Sequence, residues 1–176
     1  IRGAALTFDG DPFIESPETS VTYLVDAVLV MEDGKITQFG QADKLLPTLK
    51  KNVPIEHYSD SLILPGFIDS HVHYPQAQII GAGGETLIDW LNKYTFAAEQ
   101  AYGDGDHAKR AARQFFDELL RNGTTTAAVF CTVHPGSVDM FFAEAQRRAM
   151  RMVGGKVLMD RNAPVEILDT AQRGYD

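Results

Sequence analysis

The sequence predicts an α/β chain with a strand-rich segment over residues 1–64 and alternating strands and helices over residues 65–176. Two observations carry this expectation. An Asp33-Gly34 pair stands between two apolar runs, the pattern of a tight hairpin. Beyond Leu62 the apolar positions take up helical spacing between apolar, strand-like runs, in the order strand, helix, strand, helix, strand. That alternation implies a parallel sheet with right-handed crossovers. Three strands are too few to close a barrel.

Val21 to Met31, rich in Val, Leu and Tyr, is expected to pair through the Asp33-Gly34 turn with Lys35 to Gly40. Residues 9–19 hold Pro12, Pro17 and several acids and read as loop, and Leu45-Leu46 before Pro47 suits one helical turn. Leu62 to His73 reads as a mostly apolar strand broken by Pro65-Gly66. Leu87, Trp90, Leu91 and Tyr94 then follow at helical spacing. A clearer helix is expected from about Asp106 to Asn122, with Ala108, Ala111, Ala112, Phe115, Phe116, Leu119 and Leu120 turned inward. Asp106 is expected to cap its start and Gly123 its end. Thr124 to Thr132 reads as a buried strand, and Ser137 to Met150 as a helix with Val138, Phe141, Phe142 and Ala145 on one face. Val153 to Met159 is the expected third strand.

Composition bounds the function. With 44% hydrophobic and 23% charged residues the chain can bury an ordinary globular core. Its formal net charge of −8 argues against a nucleic-acid backbone as partner, because phosphate contacts need clustered Lys and Arg. No apolar run is long enough to span a bilayer, so no membrane partner is expected. No secretory pattern opens the sequence and Ile1 is not an initiator Met, so the sequence is expected to start inside a longer chain. The single Cys131 excludes an internal disulfide framework and fits a reducing cytoplasm. Asn122-Gly123-Thr124 matches a glycosylation sequon and, without a secretory signal, reads as chance.

The sharpest chemical feature is Pro65-Gly66-Phe67-Ile68-Asp69-Ser70-His71-Val72-His73. Side chains alternate along a strand, so Asp69, His71 and His73 are expected on one face. Two imidazoles at i and i+2 can share one metal ion at about 2.0–2.1 Å per Zn–N bond. Asp69, one step deeper, could orient a histidine. The plainer alternative is a half-buried strand carrying two satisfied histidines. The Pro-Gly entry, the nearby Asp and the βα pattern that follows favour the metal.

Leu64-Pro65-Gly66-Phe67-Ile68-Asp69-Ser70-His71-Val72-His73 resembles the first barrel strand of the amidohydrolase superfamily. The resemblance implies part of a (β/α)8 TIM barrel, incomplete here, with residues 1–64 as the N-terminal share of a small β-sandwich and 65–176 as the first three βα units. Further blocks narrow it to guanine deaminases of bacterial type. These are His73-Tyr74-Pro75-Gln76, Ile80-Gly81-Ala82-Gly83-Gly84-Glu85, Asp89-Trp90-Leu91-Asn92-Lys93-Tyr94-Thr95-Phe96, Leu120-Arg121-Asn122-Gly123-Thr124-Thr125-Thr126, Thr132-Val133-His134-Pro135 and Gly155-Lys156-Val157-Leu158-Met159-Asp160-Arg161-Asn162-Ala163-Pro164. By that resemblance His71 and His73 bind one zinc ion, and Gln76 lies in the purine pocket, where its amide can donate and accept at once. The implied reaction is hydrolytic deamination of guanine to xanthine and ammonia. Zinc lowers the pKa of a water to about 7 for attack at C2, and a carboxylic acid carries the proton to the leaving amine. The resemblance also implies a cytoplasmic homodimer and places the remaining ligands and the proton-carrying acid in a later part of the chain. No catalytic residue is therefore assigned within residues 1–176.

Other residues are less specific. Without the family likeness Gln76 reads as a solvent-facing loop residue. His134, after the second strand, lies on the side of the histidine pair and could approach the pocket, while His57 and His107 read as surface residues. Cys131 reads as core. Asp160 and Arg161 could order a loop or pair with each other. Gly81-Ala82-Gly83-Gly84 is no dinucleotide fingerprint, since Thr86 stands where a glycine is needed. The cytidine-deaminase pattern of His-X-Glu and Pro-Cys-X-X-Cys is absent from the sequence. Two alternatives stand beside guanine: a relative acting on a cytosine, adenosine-like or triazine ring, and a barrel-derived scaffold without catalysis. Two histidines leave zinc short of a third protein ligand, and a part-barrel exposes strand edges. Purified residues 1–176 alone are therefore expected to be aggregation-prone and to form no xanthine from guanine, and detectable turnover by them would contradict this.

Overall fold

The computed structural model describes residues 1–175, which fall into two compact units, Ile1–Pro65 and a second from Gly66 onward.

The first unit holds β1 (Arg2–Phe8), α1 (Pro17–Ser20), β2 (Val21–Glu32), β3 (Lys35–Gln41), α2 (Ala42–Leu45) and β4 (His57–Ile63). Its sheet has the order β3-β2-β1-β4, with β2 antiparallel to both neighbours and β4 parallel to β1. The hairpin turns where expected: Asp33 (φ 51°) and Gly34 (φ 75°) both take the left-handed conformation that a two-residue turn between twisted strands demands. Within the expected loop 9–19 the structure adds α1, whose N-cap Ser16 accepts from the Glu18 N–H ahead of Pro17 at the first helical position.

The second unit contains β5 (Phe67–His73), α3 (Leu87–Trp90), α4 (Phe96–Gln100), α5 (Gly105–Arg121), β6 (Thr124–Phe130), α6 (Pro135–Arg147), β7 (Arg151–Gly155) and α7 (Ala171–Tyr175). Its sheet has the order β5-β6-β7 and is parallel throughout. The expected single run Leu62–His73 is thus two strands of different sheets, divided at Pro65-Gly66. A side chain at Gly66 would collide with that of Thr125, so the chain can enter β5 there only as glycine.

Helix α5 is capped by Asp104, whose carboxylate accepts from the N–H groups of Asp106 (2.9 Å) and His107 (3.4 Å), two residues earlier than expected. Asp106 instead places its charge in the first turn. Gly123 ends the helix with φ 80°, donating to Leu120 O at 3.0 Å. Ala108, Ala111, Ala112, Phe115, Phe116 and Leu119 are buried, but Leu120 is 44% exposed. One step along a 3.6-residue turn swings a side chain about 100° off the buried stripe. Phe142 is half-exposed beside buried Phe141 for the same reason. The third strand is displaced too: β7 begins at Arg151 and ends at Gly155 instead of running from Val153 to Met159, although Val157 N–H still reaches Thr132 O at 3.1 Å.

The core lies between the sheet and the pair α5 and α6. It is aromatic, with Tyr74, Tyr102, Phe115, Phe116 and Phe141 buried against Ala127 and Val129 of β6. Cys131 is fully buried and burial pushes its thiol up to about 12, so it is inert filling. No helix among the described residues is long and apolar enough to cross a membrane.

An ion network ties α6 to α5. Arg147 forks onto Glu144 (2.8 and 2.6 Å), and Arg148 bonds Glu144 (2.5 Å) and Asp117 of α5 (2.7 Å). Hydrogen bonds from Arg147 lead, with those from Arg148 and both charges helping, in holding the Glu144 carboxyl down to about 2 against its burial. A folded-state value below the ordinary 4.5 gives stability that is present above pH 4.5 and lost as pH falls through about 2. Glu144→Ala in the complete gene product should lower the unfolding free energy at pH 7 by roughly 1–3 kcal/mol, as for hydrogen bonds to charged groups. Urea titration should show that deficit shrinking as pH approaches about 2.

Candidate metal and substrate site

The site is built at the C-terminal end of β5. His73 stands in register with Phe130 of β6, and its ring stacks on the phenyl at 4.8 Å with 13° between planes. His71 packs on the same phenyl at 5.1 Å and meets His73 edge-on at 5.2 Å. Phe130 is therefore the platform of the pair. The sequence does not single it out, since the expected strand runs on to Thr132 and only the β5–β6 register brings Phe130 to the histidines.

Between Asp69 and Val72 the ladder is irregular: three steps of β5 span the two steps from Ala127 to Val129. The simple alternation expected for Asp69, His71 and His73 is interrupted there. Asp69 Oδ1 accepts from the His71 backbone N–H at 3.0 Å. This carboxylate thus steadies the main chain leading into His71, where the sequence suggested a bond to a ring.

The chain after His73 is locked. Tyr74 is fully buried, donates its hydroxyl to Ala108 O and sets its ring edge-on to Tyr102 at 4.9 Å. Burial leads in raising the Tyr74 phenol, which stays a neutral donor. A 3-10 turn over Tyr74–Ile79 then carries Gln76 into the cleft of the histidines. This cleft of about 840 Å³ is lined by Asp69, His71, His73, Gln76, Trp90 and Leu91 and runs on along Phe115 and Leu119. A few converging polar groups on an apolar wall is the usual make-up of a small-molecule site.

Burial, and secondarily the charge of His71, lowers the pKa of His73. Neutral imidazole is the form that ligates a metal. The two rings present two nitrogen donors within one cleft. Among the described residues no group of three or more His, Cys, Asp or Glu side chains is placed to hold a metal ion. The pair therefore suits part of a zinc ligand set and not the whole of one.

The amidohydrolase family profile matches residues 62–175, more than half of the chain. The chain belongs to the amidohydrolase family. It is 45% identical to the guanine deaminase of Escherichia coli strain K12 over 178 residues, covering 99% of this chain and 40% of that relative. The solved structure of E. coli guanine deaminase matches with a TM-score of 0.91 at 42% identity, over 99% of this chain and 40% of that one. A guanine deaminase from C. acetobutylicum, solved with guanine bound in its active site, matches with a TM-score of 0.76 at 30% identity, over 96% of this chain and 38% of that one. This amidohydrolase chain thus spans about 40% of the length of the E. coli relative, and its fold is the N-terminal part of the family's α/β barrel, incomplete here.

The remaining sequence candidates lie elsewhere. His134 does not line the cleft of the histidine pair. Its backbone starts α6, the N–H donating to Thr132 Oγ1 (3.1 Å) and the carbonyl accepting from Ser137 Oγ (2.8 Å), and its buried Nε2 has no partner. Burial first, then the charges of Arg173 and Lys156, lowers its pKa. His107, expected on the surface, is partly buried edge-on to Tyr102, whereas His57 is exposed in β4. Asp160 and Arg161 form an exposed pair with each other at 3.2 Å.

Sequence reasoning missed Glu99. It lies on α4 and reads as one more charge on a helix, yet it is 6% exposed and its Oε2 has no hydrogen-bond partner. Burial alone pushes its carboxyl up to about 7. A folded-state value above the ordinary 4.5 gives stability fully present below pH 4.5 and lost as pH rises through about 7. Glu99→Gln in the complete gene product should remove this penalty. Thermal melts should show the variant gaining on wild type between pH 5 and pH 8, and an equal difference at both values would contradict the burial argument.

Proposed function

We propose that the chain is the N-terminal portion of a zinc-dependent enzyme that hydrolyses guanine to xanthine and ammonia. His71 and His73 are two of its zinc ligands, and Gln76 belongs to its purine pocket. The observation that carries this reading is the pair of imidazoles on Phe130 sharing one cleft with Gln76, in a chain 45% identical to a guanine deaminase over 99% of its length. When bound, zinc supplies Lewis acidity that yields a nucleophile from water at neutral pH.

The chain's own residues hold and orient. Stacking on Phe130 fixes the ring plane of His73, and burial keeps that imidazole neutral and ready to donate its lone pair. The Asp69 bond to the His71 N–H holds the backbone where it enters the first ligand. Gln76 can donate and accept at once, which suits the mixed edge of guanine and fixes the ring before reaction. The apolar side of the cleft along Leu91, Phe115 and Leu119 suits a flat heterocycle. The third ligand and the proton-carrying acid belong to the part of the enzyme beyond these residues. In the same reading residues 1–64 are the N-terminal part of a composite β-sandwich and residues 65–176 the first three βα units of the barrel. The whole enzyme is a cytoplasmic homodimer. Gln76 beside the imidazoles favours guanine over the other rings that this superfamily processes.

The complete gene product should form xanthine from guanine, lose that activity to a zinc chelator and leave cytosine and adenine untouched. Gln76→Ala should raise KM for guanine about tenfold, the worth of one to two hydrogen bonds, with zinc content unchanged. Absence of xanthine with folded, zinc-loaded protein would overturn the reading.

A further inference from the structure

The glycine-rich segment after Gln76 has no role in the chemistry described above, yet it is tied to α3 at Ala82 and Gly84. Ile80, Gly81 and Ala82 line the cleft that holds His71, His73 and Gln76. Gly81 takes φ 83°, a conformation open to glycine, and Ala82 N–H closes a turn onto Ile79 O at 3.0 Å. The segment then lies flat on the first turn of α3. A side chain at Gly84 would stand 2.7 Å from Trp90 N and 2.8 Å from Trp90 Cβ. The Trp90 indole Nε1–H donates to Ala82 O at 2.9 Å. Asp89 Oδ2 accepts from Glu85 N–H at 3.2 Å and is itself held by Lys93 at 3.0 Å, while Thr86 Oγ1 caps the Asp89 N–H at 3.2 Å.

These contacts form one chain of cause. The indole hydrogen bond ends on the carbonyl of a wall residue, and Gly84 permits the close approach that the bond requires. The indole also lines the cleft itself. We propose that Trp90 is a positioning residue for the substrate: with Gly84 it anchors the stretch whose Ile80, Gly81 and Ala82 line the cleft shared with Gln76, so that the flat ring is held between that wall and the amide. This rests on the guanine reading above and adds a residue that acts through the wall. The segment is pre-organised before substrate arrives, which removes an ordering cost from binding and leaves the metal ligands untouched.

The test compares steady-state kinetics and zinc content of the full-length wild type, Trp90→Phe and Gly84→Ala. Trp90→Phe keeps an aromatic ring and removes the donor. Its KM for guanine should rise about fivefold, the loss of roughly one hydrogen bond, with kcat within about twofold and zinc content unchanged. Gly84→Ala leaves every polar group in place and forces the wall off α3, so it should move KM in the same direction. It carries the test alone should the Trp90 variant not fold. An active wild type with KM unchanged in the variants, or kcat and KM lost together with zinc, overturns this inference and spares the guanine reading. A wild type inert toward guanine overturns both.

Discussion

The parallel pairing of β5 with β6 decides where the chemistry of this chain can be. The register that sets His73 beside Phe130 brings two imidazoles against one phenyl ring at the strand end. The same pairing is irregular between Asp69 and Val72, so the register at the strand end is what sets His73 against Phe130. The pairing is possible because glycine stands at position 66, where any side chain would strike Thr125. It is held from below by the aromatic core, to which Tyr74 is fastened one residue after His73. Each buried aromatic of that core contributes about 1.5–3 kcal/mol.

The same unit treats two buried glutamates in opposite ways. Glu144 and Glu99 are both about as hidden from solvent, at 6% residual exposure each. Glu144 meets two guanidinium groups and stays ionised far into acid. Glu99 meets none among its described contacts, and burial makes its neutral form competitive near neutrality. An unpaired buried carboxyl costs stability, which sets Glu99 apart from the ion network of Glu144.

Where the physics is local, the sequence was readable. The Asp33-Gly34 hairpin follows from turn chemistry, and the inward face of α5 follows from its spacing. The Pro-Gly entry and the paired histidines of β5 stood out because few residue types suit those places. Non-local features were hidden. Proline and glycine mark a break and the sequence pattern changes there, but the strand order of each sheet shows only in the fold. Asp104 and Asp106 are equally good caps by residue type, and the start of α5 at Gly105 decides between them. Phe130 as platform, the Asp69 bond to backbone and the burial of Glu99 all depend on neighbours distant in sequence or on an irregular ladder. The likeness to guanine deaminases came through blocks of sequence that the residues' own chemistry does not explain.

The central claim is that His71 and His73 bind one zinc ion from the end of β5. Zinc K-edge X-ray absorption on the complete gene product tests it most directly. The account predicts imidazole nitrogen scatterers at about 2.0–2.1 Å, with fewer of them and less bound zinc in His71→Ala and in His73→Ala. A zinc-loaded protein whose absorption spectrum and metal content are unchanged by both substitutions would contradict it.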